Sequence, residues 1–174
     1  MPNIENLKKY KRIHMIGIGG ISMSGIAVIL INWGFEVSGS DRSDSEILHI
    51  LDHAHIKTFV GHEAHHVENA DCVVYTAAIS PDNPELVRAK ELGIPVIERS
   101  DFLGELTRCY ENTIAVSGTH GKTTTTSLWP YVSWKLYKTQ VCKLEHLLTN
   151  LMEIIELEIV KISLLKLVNM LRVS

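Results

Sequence analysis

The sequence predicts an α/β fold, a Rossmann-like parallel sheet with helices on both faces. Three observations lead to this class. Short apolar runs recur along the first 127 residues, segments with helical apolar spacing separate them, and the first run ends in a glycine-rich turn. Parallel strands need helical crossovers of this kind, and strands covered on both faces are apolar nearly throughout.

Each element follows from a local pattern. The run RIHMIGI at Arg12 to Ile18 predicts a buried first strand that ends in a tight turn. A helical apolar spacing follows from Ile21, and Gly34 is placed to end that helix. Further strands are predicted at 35–40, 57–60, 72–75, 95–98 and 113–116, and further helices at 45–53 and 83–92.

Composition excludes several classes of protein. The chain has 174 residues, a net charge of -3 and 21% charged residues, so it lacks the basic excess of a nucleic-acid binder. Its three cysteines are odd in number and widely spaced, which argues against a disulfide framework or a zinc pair. The sequence shows no signal-peptide core and no membrane span of about 18 apolar residues. We therefore expect a cytoplasmic protein.

The segment GIGGISMSG, from Gly17 to Gly25, lies where a phosphate-binding turn belongs, between a strand and a helix. Glycines let the backbone approach a diphosphate, and the helix N-terminus presents N–H groups and a positive dipole. The G-x-G-x-x-G spacing fails at Ser22, so a tight turn without a ligand is the alternative. Asp41 follows the second strand 22 residues beyond Gly19, near the ribose-binding position of Rossmann folds; a cap of its own loop is the alternative.

A second phosphate loop is indicated by IAVSGTHGKTTTT at Ile114 to Thr126. The backbone amides of such a loop wrap phosphates, a lysine such as Lys122 reaches the β- and γ-oxygens, and the Thr123 hydroxyl ligates Mg²⁺. The loop departs from the G-x-x-x-x-G-K pattern, because Val116 stands at the first glycine position. A purely structural role fits poorly, since consecutive threonines are poor helix formers.

Histidines are concentrated in one segment, at positions 53, 55, 62, 65 and 66. No cysteine or carboxylate spacing closes a recognisable metal site around them. We therefore interpret these histidines as solvated residues of loops and helices.

The order and spacing of four segments resemble the Mur ligases of peptidoglycan synthesis. These segments are HMIGIGGISMSGIA at His14 to Ala27, GSD at Gly39 to Asp41, YTAAI and NPE between Tyr75 and Glu85, and SGTHGKTTTTS at Ser117 to Ser127. Within the family, the motifs are most similar to those of the ligases that add L-alanine. The resemblance implies a three-domain enzyme with a UDP-sugar domain, a central ATPase domain and a C-terminal amino-acid domain.

The resemblance also implies a reaction and a role for individual residues. ATP would phosphorylate the carboxylate of UDP-N-acetylmuramate, and the amine of L-alanine would attack the acyl phosphate. Lys122 and Thr123 would be catalytic, with Thr123 binding Mg²⁺. ATP would be bound by Gly118, Thr119, His120, Gly121, Lys122, Thr123 and Thr124. The UDP-sugar would be bound by Gly17, Gly19, Gly20, Ser22, Met23, Ser24, Asp41, Thr76, Ala77, Ala78 and Ile79.

The last 47 residues, 128–174, contain 11 Leu but no Gly, Ala or Asp. They predict a helical tail that is not native to the fold, because the family's acidic motif EACEY is absent from it. In a shifted reading frame, Lys166 to Val173 permits EACEYVES, and Thr139 to His146 permits PSVQVGA. We therefore predict a frameshift after Ser127 and a truncated, inactive fragment that keeps the UDP-sugar domain.

The predicted organisation has three parts. They are the Rossmann-like UDP-sugar domain at 1–107, the first strand and phosphate loop of a truncated P-loop ATPase domain at 108–127, and the aberrant tail at 128–174. An alternative function is a non-catalytic nucleotide-binding module whose Leu-rich tail docks a partner. An NAD-dependent dehydrogenase domain is a further alternative, against which the Gly-Lys-Thr loop argues.

Overall fold

The computed structural model describes Glu5, residues 7–110, and Thr119 with His120. The chain divides into two compact units, one of Glu5–Glu105 and one of Met1–Ile4 with Leu106–Ser174. The predicted strand at 113–116 and the predicted helical tail lie outside the described residues. The proposed domain limits at residues 107 and 127 stay predictions.

Strands and helices alternate along the described chain. The strands are β1 (Arg12–Ile16), β2 (Glu36–Asp41), β3 (Lys57–Val60), β4 (Cys72–Tyr75) and β5 (Val96–Glu98). The helices are α1 (Ile21–Asn32), α2 (Glu46–His53), α3 (Pro84–Glu91) and α4 (Arg99–Arg108), and a 3₁₀ turn spans Ala64–Val67. The strands form one parallel sheet in the order β3-β2-β1-β4-β5, which confirms the predicted Rossmann-like class. Within the described residues, no helix is long and apolar enough to cross a membrane.

The central strand, β1, is buried on both faces. Its residues from Ile13 to Ile16 are all buried, and successive side chains of a strand point to opposite faces. Ile16 packs with Val73, Leu86 and Ala89, which brings α3 against one face. The middle of the sheet is therefore closed to ligands, and the loops at the strand ends are left to form a site.

The observed ends of β1 and β2 differ from the predicted ones. β1 ends at Ile16, two residues early, because Gly17 takes a left-handed φ of 84° and begins the turn. Asp41 is the last residue of β2, although the sequence placed it just beyond the strand. The patterns did not predict α4, whose apolar spacing is interrupted by Gly104.

Side-chain caps explain where two helices begin. The Ser45 hydroxyl accepts a hydrogen bond from the Leu48 N–H at the start of α2. At the start of α3, the Asn83 side chain accepts hydrogen bonds from the N–H groups of Glu85 and Leu86, at 2.9 and 3.2 Å. Both caps lie at the boundaries that the sequence predicts.

Asp71, the residue that precedes β4, joins that strand to the beginning of β1. Its carboxylate accepts hydrogen bonds from the backbone N–H groups of Lys11 and Arg12, at 3.0 and 2.9 Å, and from the Arg12 guanidinium at 2.9 Å. The hydrogen bonds from the Arg12 side chain and backbone lower the pKa of Asp71 to about 2.

This ionised clamp predicts an acid-sensitive contribution to stability. Because the folded-state pKa lies below the usual 3.8, the contribution is complete above that pH and is lost as the pH falls toward 2. Asp71→Asn should therefore flatten the decrease in the free energy of unfolding over this range, measured by urea denaturation. Arg12→Gln should produce part of the effect, because the backbone hydrogen bonds remain. An unchanged acid dependence in Asp71→Asn would contradict the prediction.

Gly39→Ala should destabilise the sheet. A Cβ at this position would lie 2.6 Å from the Met15 carbonyl oxygen and 2.6 Å from Ile18 Cδ1, so the strands would have to shift. We expect the free energy of unfolding to fall by about 1–3 kcal/mol, as for other overpacked cores, in urea denaturation. Gly104→Ala is the control, because nothing lies within 4 Å of its Cβ and alanine favours a helix. Equal losses in the two variants would refute this account.

Candidate functional site

The glycine turn, residues 17–20 between β1 and α1, is held by the end of β2. The Ser40 carbonyl accepts hydrogen bonds from the N–H groups of Gly17 and Ile18, at 2.8 and 3.0 Å. Asp41 Oδ2 accepts one from the Gly19 N–H at 2.9 Å. The first N–H groups of the turn are therefore bonded within the protein, and their contribution to a ligand is the shape that they give the backbone.

Glycine is required at two positions of this turn. Gly17 has a φ of 84°, and a Cβ there would lie 2.6 Å from Thr76 Cγ2. A Cβ on Gly19 would lie 2.8 Å from Asp41 Oδ2. Side chains at either position would push away the neighbouring loop or the carboxylate that fixes the turn.

The start of α1 presents N–H groups beside the turn. Gly20 is the N-cap residue and provides no side-chain cap, and the first turn carries no acidic residue. Helix geometry leaves the N–H groups of Ile21, Ser22 and Met23 without acceptors inside α1. Together with the positive end of the helix dipole, these groups favour an anion.

Two of the predicted ligand residues on α1 face the core. Ser24 is fully buried; its N–H donates to the Gly20 carbonyl, and its hydroxyl donates to the Ile21 carbonyl, both at 2.9 Å. The Met23 side chain is 2% exposed. Ser24 thus supports the first turn of the helix, and Met23 can offer a ligand only its backbone N–H.

The loop of residues 76–79, which follows β4, lies against the glycine turn. The Thr76 methyl group occupies the space beside Gly17, and the Ile79 N–H donates to the Thr76 carbonyl at 3.0 Å. Ala77 and Ala78 are exposed. The structure therefore brings the predicted UDP-sugar residues of the turn, of Asp41 and of this loop to the carboxyl edge of the sheet.

Arg99, which belongs to none of the sequence motifs, reaches the same edge of the sheet. It is the first residue of α4, directly after β5, and its Nη1 donates a hydrogen bond to Ser22 Oγ at 2.7 Å. β4 lies between β1 and β5, so this contact spans the ends of three strands. A basic residue directly after a parallel strand is the signal that could have identified it, because ligands bind at this edge.

The predicted ATP loop is described only at two residues. Thr119 and His120 are exposed. Gly118, Gly121, Lys122, Thr123 and Thr124 lie outside the described residues, and their assigned roles stay predictions.

The interpretation of the five histidines as solvated residues is wrong for two of them. His62 Nδ1 and His66 Nδ1 lie 3.0 and 2.6 Å from the carboxylate of Glu85, and their side chains are 15% and 5% exposed. No local pattern around these histidines indicates this burial, because the carboxylate comes from a distant helix. Glu63, His65 and His66 bring metal-binding atoms within 4.8 Å of one another, but His66 Nδ1 is already hydrogen-bonded to Glu85.

Glu85, the second residue of α3, is fully buried. Its Oε2 accepts a hydrogen bond from the Ser40 hydroxyl at 2.6 Å, and His14 Nε2 lies 3.6 Å from Oε1. Burial alone would raise the pKa of Glu85, but the nearby His14 and hydrogen bonds from Ser40 and His66 lower it to about 2. The carboxylate is therefore ionised inside the protein at neutral pH.

The chain is similar to known proteins over most of its described length. The profile described as Mur ligase family, catalytic domain, matches residues 12–111. The chain is 57% identical over 120 residues to the UDP-N-acetylmuramate--L-alanine ligase of Acetivibrio thermocellus, covering 69% of this chain and 26% of that protein. It is 54% identical over 127 residues to the protein of the same name from Clostridium botulinum strain Okra, covering 73% of this chain and 28% of the relative.

Solved structures give the same result. The UDP-N-acetylmuramate-alanine ligase of Thermotoga maritima matches with a TM-score of 0.66 and 36% identity, over 71% of this chain and 29% of that one. The UDP-N-acetylmuramate:L-alanyl-gamma-D-glutamyl-meso-diaminopimelate ligase of Neisseria meningitides matches with a TM-score of 0.65 and 33% identity, over 72% and 39% of the two chains. The chain spans about a quarter of the length of the curated relatives named above. Sequence and fold together show that the chain belongs to the Mur ligase family.

Proposed function

We propose that the residues described here form the UDP-sugar-binding part of an L-alanine-adding Mur ligase, with the diphosphate of UDP-N-acetylmuramate at the carboxyl edge of the sheet. The observation that carries the proposal is the meeting of the glycine turn, the loop of residues 76–79 and Arg99 at that edge. The relatives of 57% and 54% identity bear the name of a ligase that acts on this sugar nucleotide.

The chemistry of this edge suits a diphosphate. The N–H groups of Ile21, Ser22 and Met23 have no acceptor within α1, and Gly20 leaves the backbone accessible beside them. The Arg99 guanidinium supplies a full positive charge and planar hydrogen-bond donors beside these groups. Backbone dipoles and one arginine would thus share the neutralisation of the two phosphates.

Asp41 would hold the ribose. Its Oδ2 already accepts the Gly19 N–H, while Oδ1 makes only a long contact of 3.5 Å with the Ser43 N–H. An ionised carboxylate has further acceptor capacity, which a ribose hydroxyl can use. Asp41 would therefore fix the glycine turn through Oδ2 and bind the nucleotide through Oδ1.

For the whole enzyme, the proposal is ATP-dependent amide formation between UDP-N-acetylmuramate and L-alanine. ATP and Mg²⁺ would bind the loop that contains Gly118, Gly121, Lys122, Thr123 and Thr124, with Lys122 neutralising the transferred phosphoryl group. For the described residues themselves, the proposal is binding of the UDP-sugar.

The shifted-frame origin of residues 128–174 is a separate proposal that DNA sequencing can test. We expect sequencing across the Ser127 codon to show that one inserted or deleted base restores the EACEY motif. Codons that cannot encode this motif in either shifted frame would exclude a frameshift.

Arg99→Met should weaken the binding of UDP-N-acetylmuramate to the 174-residue chain at least tenfold, because a charge-assisted contact to the diphosphate is lost. Isothermal titration calorimetry measures the affinity, and circular dichroism checks that the variant is folded. Uridine, which has no phosphate, should bind both proteins equally weakly. Arg88→Met is the matched control, because Arg88 pairs with Glu68 and Glu91 on the surface of α3. Equal affinities in the two arginine variants would contradict the role of Arg99.

A further inference from the structure

We propose that Glu85 is a positioning residue for the sugar-nucleotide site, which acts through Ser40 to fix the glycine turn in the shape that receives the diphosphate. This inference rests on the proposed function and extends it to a residue that does not touch the ligand. Glu85 is fully buried on α3, so it can act on the site only through its neighbours.

The Glu85 carboxylate is a charged group in the protein interior. Removing a charge from water is unfavourable unless partners compensate, and well-packed apolar residues often serve stability equally well. Glu85 has hydrogen-bonding partners from separate segments, Ser40 of β2, His62 after β3 and His66 of the 3₁₀ turn. His14 Nε2 of β1 lies 3.6 Å from the carboxylate. A buried anion that ties these segments to one point specifies their relative position more than it adds to stability.

Ser40 connects the Glu85 carboxylate to the glycine turn. Ser40 is fully buried and is bonded on two sides: its hydroxyl donates to Glu85 Oε2 at 2.6 Å, and its carbonyl accepts the N–H groups of Gly17 and Ile18. The hydroxyl also lies 3.0 Å from His62 Nδ1. A displacement of Ser40 would move the one carbonyl that accepts both of these N–H groups.

The contacts of the Glu85 side chain call for an anion at this position. Oε2 contacts both Ser40 and His62, and Oε1 contacts His66, so each carboxylate oxygen serves as an acceptor. A glutamine of the same size would replace one acceptor oxygen with an NH₂ donor and would remove the charge that faces the imidazoles. The NH₂ group would then face another hydrogen-bond donor, or the contact would be lost. In either case, Ser40 would be held less firmly.

The test uses Glu85→Gln and Ser40→Ala in the 174-residue chain, with Glu91→Gln as the control at the exposed end of the same helix. Calorimetry measures the affinity for UDP-N-acetylmuramate, thermal denaturation checks folding, and ¹H–¹⁵N NMR follows the amide signals of Gly17, Ile18 and Gly19. We expect both site variants to remain folded, to bind the sugar nucleotide about 5- to 20-fold more weakly and to shift these amide signals. Glu91→Gln should change neither.

The double variant separates positioning from general destabilisation. If Glu85 acts through Ser40, Glu85→Gln with Ser40→Ala should weaken binding no more than the stronger single variant does, because both changes remove the same contact. Unchanged amide signals and unchanged affinity in a folded Glu85→Gln protein would overturn the proposal, as would fully additive losses. If Glu85→Gln does not fold, Ser40→Ala decides by the same two readouts.

The outcomes also distinguish this inference from the proposed function. If the unaltered chain does not bind UDP-N-acetylmuramate, the proposed function fails for this chain. The amide signals of Gly17 and Ile18 still report whether Glu85 fixes the turn, because they are measured without ligand. Shifted signals in Glu85→Gln and unshifted ones in Glu91→Gln would support positioning, and signals unshifted in both would refute it.

Discussion

The carbonyl of one serine controls the place at which the central strand leaves the sheet. β1 pairs with β2 up to the register partners Ile16 and Ser40, and the backbone then turns sharply at Gly17. The Ser40 carbonyl accepts the next two N–H groups of the chain, so the turn continues the hydrogen bonding of the sheet through a change of direction. The start of α1, the position of Asp41 and the contact with the loop after β4 all depend on this geometry.

Local patterns predicted most of the sheet because β1 and β4 are short, largely apolar runs and helical segments separate the strands. Lys57–Val60 and Cys72–Tyr75 have the predicted bounds. The glycine turn could also be predicted, since glycines in the sequence indicate a backbone conformation that other residues rarely adopt. The predicted phosphate loop near Lys122 rests on sequence alone.

The buried polar cluster could not be predicted in the same way. Glu85 is acidic and stands in the first turn of a helix, where the helix dipole alone accounts for it. His62 and His66 come from a segment rich in polar residues, which is typical of a surface. Their burial depends on the packing of α3 against the 3₁₀ turn, and no periodicity within a single segment encodes that arrangement. The place of Arg99 at the site could not be predicted for a related reason, because its partner Ser22 lies 77 positions away in the sequence.

The bonded glycine turn also bears on the thermodynamics of association. Gly17, Ile18 and Gly19 are glycine or neighbours of glycine, and a free segment of this composition would lose much backbone entropy on meeting a ligand. Their N–H groups are bonded to Ser40 and Asp41 within the protein itself, so folding orders the segment. A sugar nucleotide would therefore meet a preformed cradle, and more of its contact energy would be retained as affinity.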